Sequence, residues 1–186
     1  VVNGALEMMA DAVDGEDIEL MVADVSDAFW LVPLAPSERR FFCARLRGRL
    51  LSFNRIAQGS RTAPLTWSVI ASCATRAIQG TFMATGSTRV KYSQSVRLNC
   101  YVDDPIVIVR GTPSQRKNDL ILCLLIWLVL GFPMSFPKAH SGKSLAWIGV
   151  QLTIGPGCMS AEITAERLAE LLGTTERFLQ LNVLPR

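Results

Sequence analysis

The tetrad Tyr101-Val102-Asp103-Asp104 contains two adjacent carboxylates and lies between two mostly apolar runs. The runs at residues 98–100 and 106–109 predict two buried strands joined at this tetrad. Burying one charge is costly, and two negative charges side by side also repel each other. A hairpin that holds both acids near its tip therefore favours a bound cation, and hard divalent ions such as Mg²⁺ prefer carboxylate oxygens.

A third carboxylate, Asp24, ends another predicted strand at residues 19–24. If this strand lies beside the 98–109 hairpin in one sheet, Asp24 and Asp103 come within a few ångströms of each other. Two divalent ions about 3.5–4 Å apart, held by shared carboxylates, can clamp the attacking and leaving oxygens of a phosphoryl transfer. We expect Asp24, Asp103 and Asp104 to be the ligands; the alternative is a polar turn, since Asp favours turns.

The composition indicates a globular chain with a substantial core. Of 186 residues, 49% are hydrophobic and 19% are charged, which excludes a disordered protein and favours one domain or slightly more. The net charge of +3 does not by itself indicate a nucleic-acid partner. Residues 39–61, however, contain many arginines and no acid, so this segment predicts either a phosphate-rich partner or a solvated face.

The cysteines and the single histidine restrict the possible sites. Five scattered cysteines without a Cys-x-x-Cys pair indicate neither a zinc site nor a disulfide framework, and they favour a reducing compartment. His140 alone excludes a multi-histidine metal site. Residues 120–130 are apolar but shorter than the ~18–20 residues of a membrane span, so they predict a buried helix. We expect a protein that is either cytoplasmic (particle-associated) or nuclear, and not secreted.

The apolar patterning predicts an alternation of strands and helices. The elements follow the order strand, helix, two strands, helix, strand, which is the β-α-β-β-α-β arrangement of the ferredoxin-like split unit. A hairpin about Arg47-Gly48 is inserted between the first strand and the first helix. The predicted elements are strand 19–24, hairpin strands 41–46 and 49–53, helix 64–79 ended by Gly80, strands 97–100 and 106–110, helix 114–130 ended by Gly131, strand 146–153, and helices 164–172 and 175–181 separated by Gly173.

Five motifs together resemble those of reverse transcriptases of the retrovirus-like, LTR-retrotransposon kind. Residues 23–34 resemble the first catalytic motif, and the YxDD tetrad at 101–104 resembles the third. The others, in family order, are Gln58-Gly59 with Ala63-Pro64, then Gly131-Phe132 with Lys138, and then the primer-grip hairpin at residues 145–149.

The resemblance implies an α+β fold, the right-hand polymerase palm with partial fingers. It implies an RNA-directed DNA polymerase, a nucleotidyltransferase, whose partners are an RNA or DNA template, a DNA or RNA primer and a dNTP, with no membrane. The expected division is an N-terminal partial fingers segment at 1–20, a palm at 21–153 with a fingers hairpin about 39–61, and the start of a thumb or connecting helices at 154–186. The chain would then be a fragment of a longer polyprotein.

The same resemblance implies roles for individual residues. Asp24 and Asp103 would bind two Mg²⁺ ions, or Mn²⁺, with help from the Val25 carbonyl and with Asp104 as a secondary ligand. Phe29 would be the steric gate that excludes a 2′-hydroxyl. The incoming nucleotide would also contact Asp27, Gln58, Gly59 and Lys138. The primer terminus would be held by Trp147 and Gly149. The template would contact Arg39, Arg40, Arg55 and Arg61.

Two alternatives stay open. Pro105 directly follows the acids and removes a strand N–H, whereas the family has an ordinary apolar residue at this position. In relatives, the fingers residues that bind the triphosphate lie upstream of the motifs that match here. Both observations fit an inactive retroelement relic that keeps the fold and binds nucleic acid. An RNA-dependent RNA polymerase shares the palm, but Phe29 argues against it because such an enzyme must admit the 2′-hydroxyl.

Overall fold

A computed structural model describes residues 1–84 and 95–181. Four helices and nine strands are described within these residues. In chain order they are α1 (Val2–Ala10), β1 (Asp17–Val22), β2 (Cys43–Leu46), β3 (Arg49–Ser52), α2 (Ala63–Ala84), β4 (Val96–Tyr101), β5 (Asp104–Gly111), α3 (Pro113–Val129), β6 (His140–Gly142), β7 (Ser144–Trp147), β8 (Val150–Gly155), β9 (Cys158–Ile163) and α4 (Ala165–Gln180).

A four-stranded antiparallel sheet in the order β4-β5-β1-β6 forms the centre of the fold. The first, second, third and fourth strands of the split unit are β1, β4, β5 and β6, and helices α2 and α3 connect them as predicted. The expected α+β palm with a ferredoxin-like sheet is therefore confirmed.

The fourth strand of this sheet is not the predicted segment 146–153. Residues 144–155 instead form the β7–β8 hairpin, which pairs with β9 in a separate three-stranded sheet. The chain reverses because Ile148 and Gly149 both adopt positive φ, 46° and 81°, as a two-residue hairpin turn of type I′ requires. The three residues of β6 take the place beside β1.

Both faces of the central sheet are buried, which explains why residues 105–109 of β5 are all apolar. Val107 and Val109 face the core formed with α2 and α3, which contains Trp67, Ile78 and Trp127 among others. Ile106 and Ile108 face the opposite core, which α1 and the β7–β8–β9 sheet cover. Successive residues of a strand point to opposite faces, so a strand buried on both faces needs apolar residues at every position.

The helix ends differ from the prediction at two glycines. Helix α2 continues past Gly80 to Ala84, and α4 is one helix through Gly173 where two were predicted. Neither glycine has the positive φ that ends a helix, whereas Gly131 has a φ of 85° and donates its N–H to the Leu128 carbonyl after α3, as predicted. Glycine permits a helix end, but the neighbouring residues decide whether one forms.

The arginine-rich insert forms the predicted hairpin. Strands β2 and β3 pair about Arg47 and Gly48, whose φ values of 49° and 75° fit a type I′ turn. Most residues of both strands are exposed.

None of the helices that the structure describes combines the length and the apolar character needed to span a lipid bilayer.

The two glycines give a matched test of this interpretation. Gly80 lies inside α2 with open space where a Cβ would be, so Gly80→Ala should raise the free energy of unfolding by about 0.5–1 kcal/mol. Gly131→Ala should lower it by about 1–2 kcal/mol, because alanine is strained at a φ of 85°. Urea unfolding followed by circular dichroism measures both changes. A loss of stability in Gly80→Ala would show that α2 ends where the sequence pattern placed its end.

Candidate functional site

Asp24 lies directly beside the two acids of the β4–β5 turn. Strand β1 pairs with β5 up to Val22 opposite Ile106. The ladder then continues beyond β1: the Ala23 N–H donates to the Pro105 carbonyl at 3.1 Å, and the Val25 N–H donates to the Asp103 carbonyl at 3.0 Å. The backbone at residue 24 is thus adjacent to the backbone at residues 103–105.

A second segment flanks Asp24 on its other side and brings a lysine to it. The Ser135 N–H donates to the Asp24 carbonyl at 2.8 Å, and the Ser26 N–H donates to the Pro133 carbonyl at 2.8 Å. A short 3₁₀ helix, Phe136–Lys138, follows. Its last residue, Lys138, donates from Nζ to Asp24 Oδ2 at 3.0 Å.

The turn that carries the acids has an unusual backbone. Tyr101 pairs with Asp104, so only Val102 and Asp103 form the loop, and Val102 has a φ of 55°. Positive φ is rare for a β-branched residue. Such a conformation persists only where the surrounding structure supports it.

Three side chains donate hydrogen bonds to carbonyls of this turn. Trp67 of α2 donates from Nε1 to the Val102 carbonyl at 2.6 Å, and the Cys100 thiol donates to the same carbonyl at 3.2 Å. Trp147 of β7 donates from Nε1 to the Asp104 carbonyl at 3.1 Å. A helix, a strand of the central sheet and the β7–β8 hairpin therefore all support the turn.

The electrostatics show that the charged groups interact. Partial burial, and then the negative charges of Asp103 and Asp24, raise the pKa of Asp104. Burial, and then the charges of Asp103 and Asp104, raise the pKa of the Cys100 thiol to about 12, so this thiol stays a hydrogen-bond donor at neutral pH. The hydrogen bond to Asp24 raises the pKa of Lys138.

Pro105 is accommodated within the sheet. It is fully buried at the start of β5 and pairs with Cys100. Its carbonyl accepts the Ala23 N–H, but the return bond to the Ala23 carbonyl cannot form because proline has no N–H. Extended geometry at Asp104 agrees with the preference of a residue that precedes proline.

The acids fit a magnesium site that is completed by substrate. In the parts of the chain that the structure describes, no three acidic, histidine or cysteine side chains converge to hold a metal ion by themselves. Mg²⁺ commonly takes one or two carboxylates and fills its other positions with water and substrate phosphates. Carboxylates on two adjacent segments, one already paired with an ammonium group, are a donor set of this kind.

The expected gate residue, Phe29, follows Asp24 by five residues and lies in the next short helix. Phe29 belongs to a short 3₁₀ helix, Ala28–Leu31, and is half-buried against the main core. Asp27 precedes it with a φ of 54°, and the Asp27 carbonyl accepts the Trp30 N–H at 2.8 Å. The Asp27 side chain makes no capping hydrogen bond to this helix.

The other expected nucleotide and primer residues lie on two turns. Gln58 and Gly59 are exposed in the turn before α2, where the Ser60 N–H donates to the Ala57 carbonyl at 3.2 Å and Gly59 has a φ of 86°.

Gly149 lies in the second of these turns, between β7 and β8. Its carbonyl accepts the Thr164 N–H at 3.2 Å, which joins this turn to the start of α4.

The four expected template arginines are not equally free. Arg55 donates to the Leu31 carbonyl at 2.6 Å, and Arg39 donates to the Leu34 carbonyl at 3.4 Å. Arg40 lies 4.7 Å from the centre of the Phe41 ring, and Arg61 is exposed. Arg39 and Arg55 thus also stabilise the chain locally, while every arginine keeps further N–H donors.

Two of the contacts that support the site illustrate what the sequence did not reveal. The bond from Trp67 to the turn has no sequence signal, because a tryptophan in an apolar helix is more often a core residue. The pairing of Lys138 with Asp24 depends on the segment at residues 133–135, which lacks regular strand patterning.

A model of the family described as reverse transcriptase (RNA-dependent DNA polymerase) matches residues 9–152. The chain therefore belongs to the reverse transcriptase family, and the recognition drawn from the five motifs is confirmed. No curated protein sequence matches the chain.

Solved structures of foamy virus protease-reverse transcriptase share the fold. The complex with an RNA/DNA hybrid matches with a TM-score of 0.62 at 16% identity, over 90% of this chain and 20% of that one. The dRH form in complex with double-stranded DNA matches with a TM-score of 0.64 at 17% identity, over 90% of this chain and 26% of that one. The chain thus spans about a fifth to a quarter of the length of these proteins.

Proposed function

We propose that this chain is the palm of an RNA-directed DNA polymerase that adds deoxynucleotides to a primer by two-metal phosphoryl transfer. The observation that carries the proposal is the ladder from β1 to β5, which places Asp24 beside Asp103 and Asp104. Family membership supports the same reaction class. Within this proposal, residues 21–153 are the palm with its fingers hairpin, 1–20 are partial fingers, and 154–186 begin a thumb or connection.

The carboxylates would hold the metal ions and so fix the reacting groups. Asp24 and Asp103 would bind both ions, with Asp104 and the Val25 carbonyl as further ligands. Magnesium bound there would lower the pKa of the primer hydroxyl and neutralise the leaving pyrophosphate. Lys138 is already within hydrogen-bond distance of Asp24 and would turn to the departing phosphates once a cation takes its place.

The remaining residues would select and align the substrates. Phe29 would exclude the 2′-hydroxyl, with Asp27, Gln58 and Gly59 near the incoming nucleotide. The primer terminus would lie at Trp147 and Gly149. Template phosphates would contact Arg39, Arg40, Arg55 and Arg61, and the solved relatives in complex with an RNA/DNA hybrid and with double-stranded DNA support a nucleic-acid partner.

Primer extension tests the proposal directly. The chain is incubated with a primed RNA template, dNTPs and Mg²⁺ or Mn²⁺, and extended primers are resolved on a gel. Asp103→Asn should reduce extension to background because it removes a ligand charge. Asp14→Asn, at an exposed acid in a distant turn, is the matched control and should leave extension unchanged.

A second candidate function is an inactive retroelement relic that binds nucleic acid. Pro105 favours it, because the missing strand N–H removes one bond that would fix residue 105 against Ala23. Template binding in a gel-shift assay, without extension by the wild-type chain in either metal, would favour the relic over the polymerase.

Lys138 provides a test that does not depend on catalysis. Lys138→Met should increase the affinity for Mn²⁺ about two- to fivefold, because it removes a largely exposed ion pair that competes for Asp24. Isothermal titration calorimetry measures the change. Lys143→Met is the control, since Lys143 pairs with Asp17 at 2.6 Å at the opposite end of β1 and carries the same charge. Equal gains in both variants would mean that only net charge matters.

Phe29 distinguishes the DNA polymerase from an RNA polymerase. Phe29→Ala should raise ribonucleotide incorporation relative to deoxynucleotide incorporation by about tenfold or more, because the ring no longer blocks the 2′-hydroxyl. Single-nucleotide incorporation kinetics with dNTP and rNTP give the ratio. Phe178→Ala is the control at a phenylalanine of α4 that is 61% exposed. An unchanged ratio in Phe29→Ala would remove this residue from the gate role.

A further inference from the structure

The carbonyl of Val102 receives a hydrogen bond from inside the protein core. Trp67 is 1% exposed on α2, and its Nε1 lies 2.6 Å from the Val102 oxygen. Val102 is half-buried and packs against the main core, so water has little access to the side of its carbonyl that the indole ring covers, and a backbone carbonyl shielded in this way needs a protein donor. The indole N–H is thus the main donor to this oxygen, with the weaker Cys100 thiol beside it.

The bond lies at the point where the turn is hardest to hold. Val102 keeps a positive φ despite its branched side chain, and Asp103 is the next residue. The peptide group between them contains the Val102 carbonyl together with the N and Cα of Asp103, and on its other side Asp103 accepts the Val25 N–H at its own carbonyl at 3.0 Å. The direction of the Val102 carbonyl and the position of Asp103 are therefore coupled through one peptide plane.

Trp127 shows that packing alone does not require such a bond. Trp127 is also 1% exposed in the same core, and both tryptophans contact the Phe132 ring edge-on. The distance between ring centres is 5.6 Å for Trp67 and 5.0 Å for Trp127. Within residues 1–84 and 95–181, the Trp127 Nε1 has no hydrogen-bond partner. The two residues thus share burial, ring type and neighbour, and they differ in the bond to the turn.

We propose that Trp67 is a positioning residue of the active site: its indole N–H fixes the Val102 carbonyl and thereby the Asp103 carboxylate. The link from Asp103 to metal binding rests on the proposed function, whereas the link from Trp67 to the turn does not. Trp67 itself touches no reacting group. Its contribution is to keep the strained turn in one conformation before substrate arrives.

The test compares Trp67→Phe with Trp127→Phe in the whole chain. Hydrogen exchange, measured by mass spectrometry on a peptide that contains residues 100–104, gives the rate at which the turn opens. Calorimetric titration gives the affinity of the site for Mn²⁺, and the thermal midpoint gives the global stability. Trp67→Phe should speed exchange in the turn about tenfold and weaken Mn²⁺ binding several-fold. Trp127→Phe should change neither, although both variants remove similar core volume.

An isosteric replacement separates the N–H from the ring. Benzothienylalanine at position 67 keeps the shape of tryptophan and carries sulfur where the indole has N–H, so it should reproduce the faster exchange even if Trp67→Phe fails to fold. Exchange in the turn that stays at the wild-type rate with benzothienylalanine, or that rises equally in Trp127→Phe, would overturn the proposal. If the wild-type chain binds no Mn²⁺ even in the presence of a primed template and dNTP, the proposed function fails, while the exchange measurement still decides the role of the Trp67 bond.

Discussion

The antiparallel pairing of β1 with β5 is the interaction on which the site depends. It places Asp24 against the β4–β5 turn, and two hydrophobic cores fix its register. A slip of one residue would turn Ile106 and Ile108 away from one core and Val107 and Val109 away from the other. The same slip would separate the acids, so the burial of four apolar side chains also sets the geometry of the charged ones.

The sequence predicted the parts of the fold in which pattern and burial agree. Strands β1 and β5 contain apolar runs, and β4 alternates apolar with polar residues. All three are bounded by acids or turn residues, and the β2–β3 hairpin carries Arg47-Gly48 at its turn. The short edge strand β6 could not be predicted, because His140 and Ser141 are exposed and only backbone pairing with β1 defines it. Residues 144–155 have the apolar pattern of one strand, and only the motif resemblance indicated a hairpin at residues 145–149. Nothing in Ile148 itself signals the positive φ at which the chain reverses.

The sequence proposed the residues of the candidate site but not the contacts between them. The motifs gave Asp24, Asp103, Asp104 and Lys138, since carboxylates after apolar strands are unusual enough to be informative. They did not give the ammonium group of Lys138 on Asp24, which depends on the path of residues 133–135. They also did not give the two indole donors to the turn, because hydrogen bonds from side chains to distant carbonyls follow from the three-dimensional packing of separate elements.

Position 102 requires a residue that adopts a left-handed backbone without strain and also carries a side chain that packs against the core, and no single amino acid satisfies both requirements fully. Glycine would adopt the conformation easily, but it would leave the neighbouring core without the valine methyl groups that pack there. A larger apolar residue would fill that space and keep the steric cost of its Cβ. The tip of this hairpin is therefore a compromise between backbone ease and side-chain contact, and its tolerance of replacement is narrow on both counts.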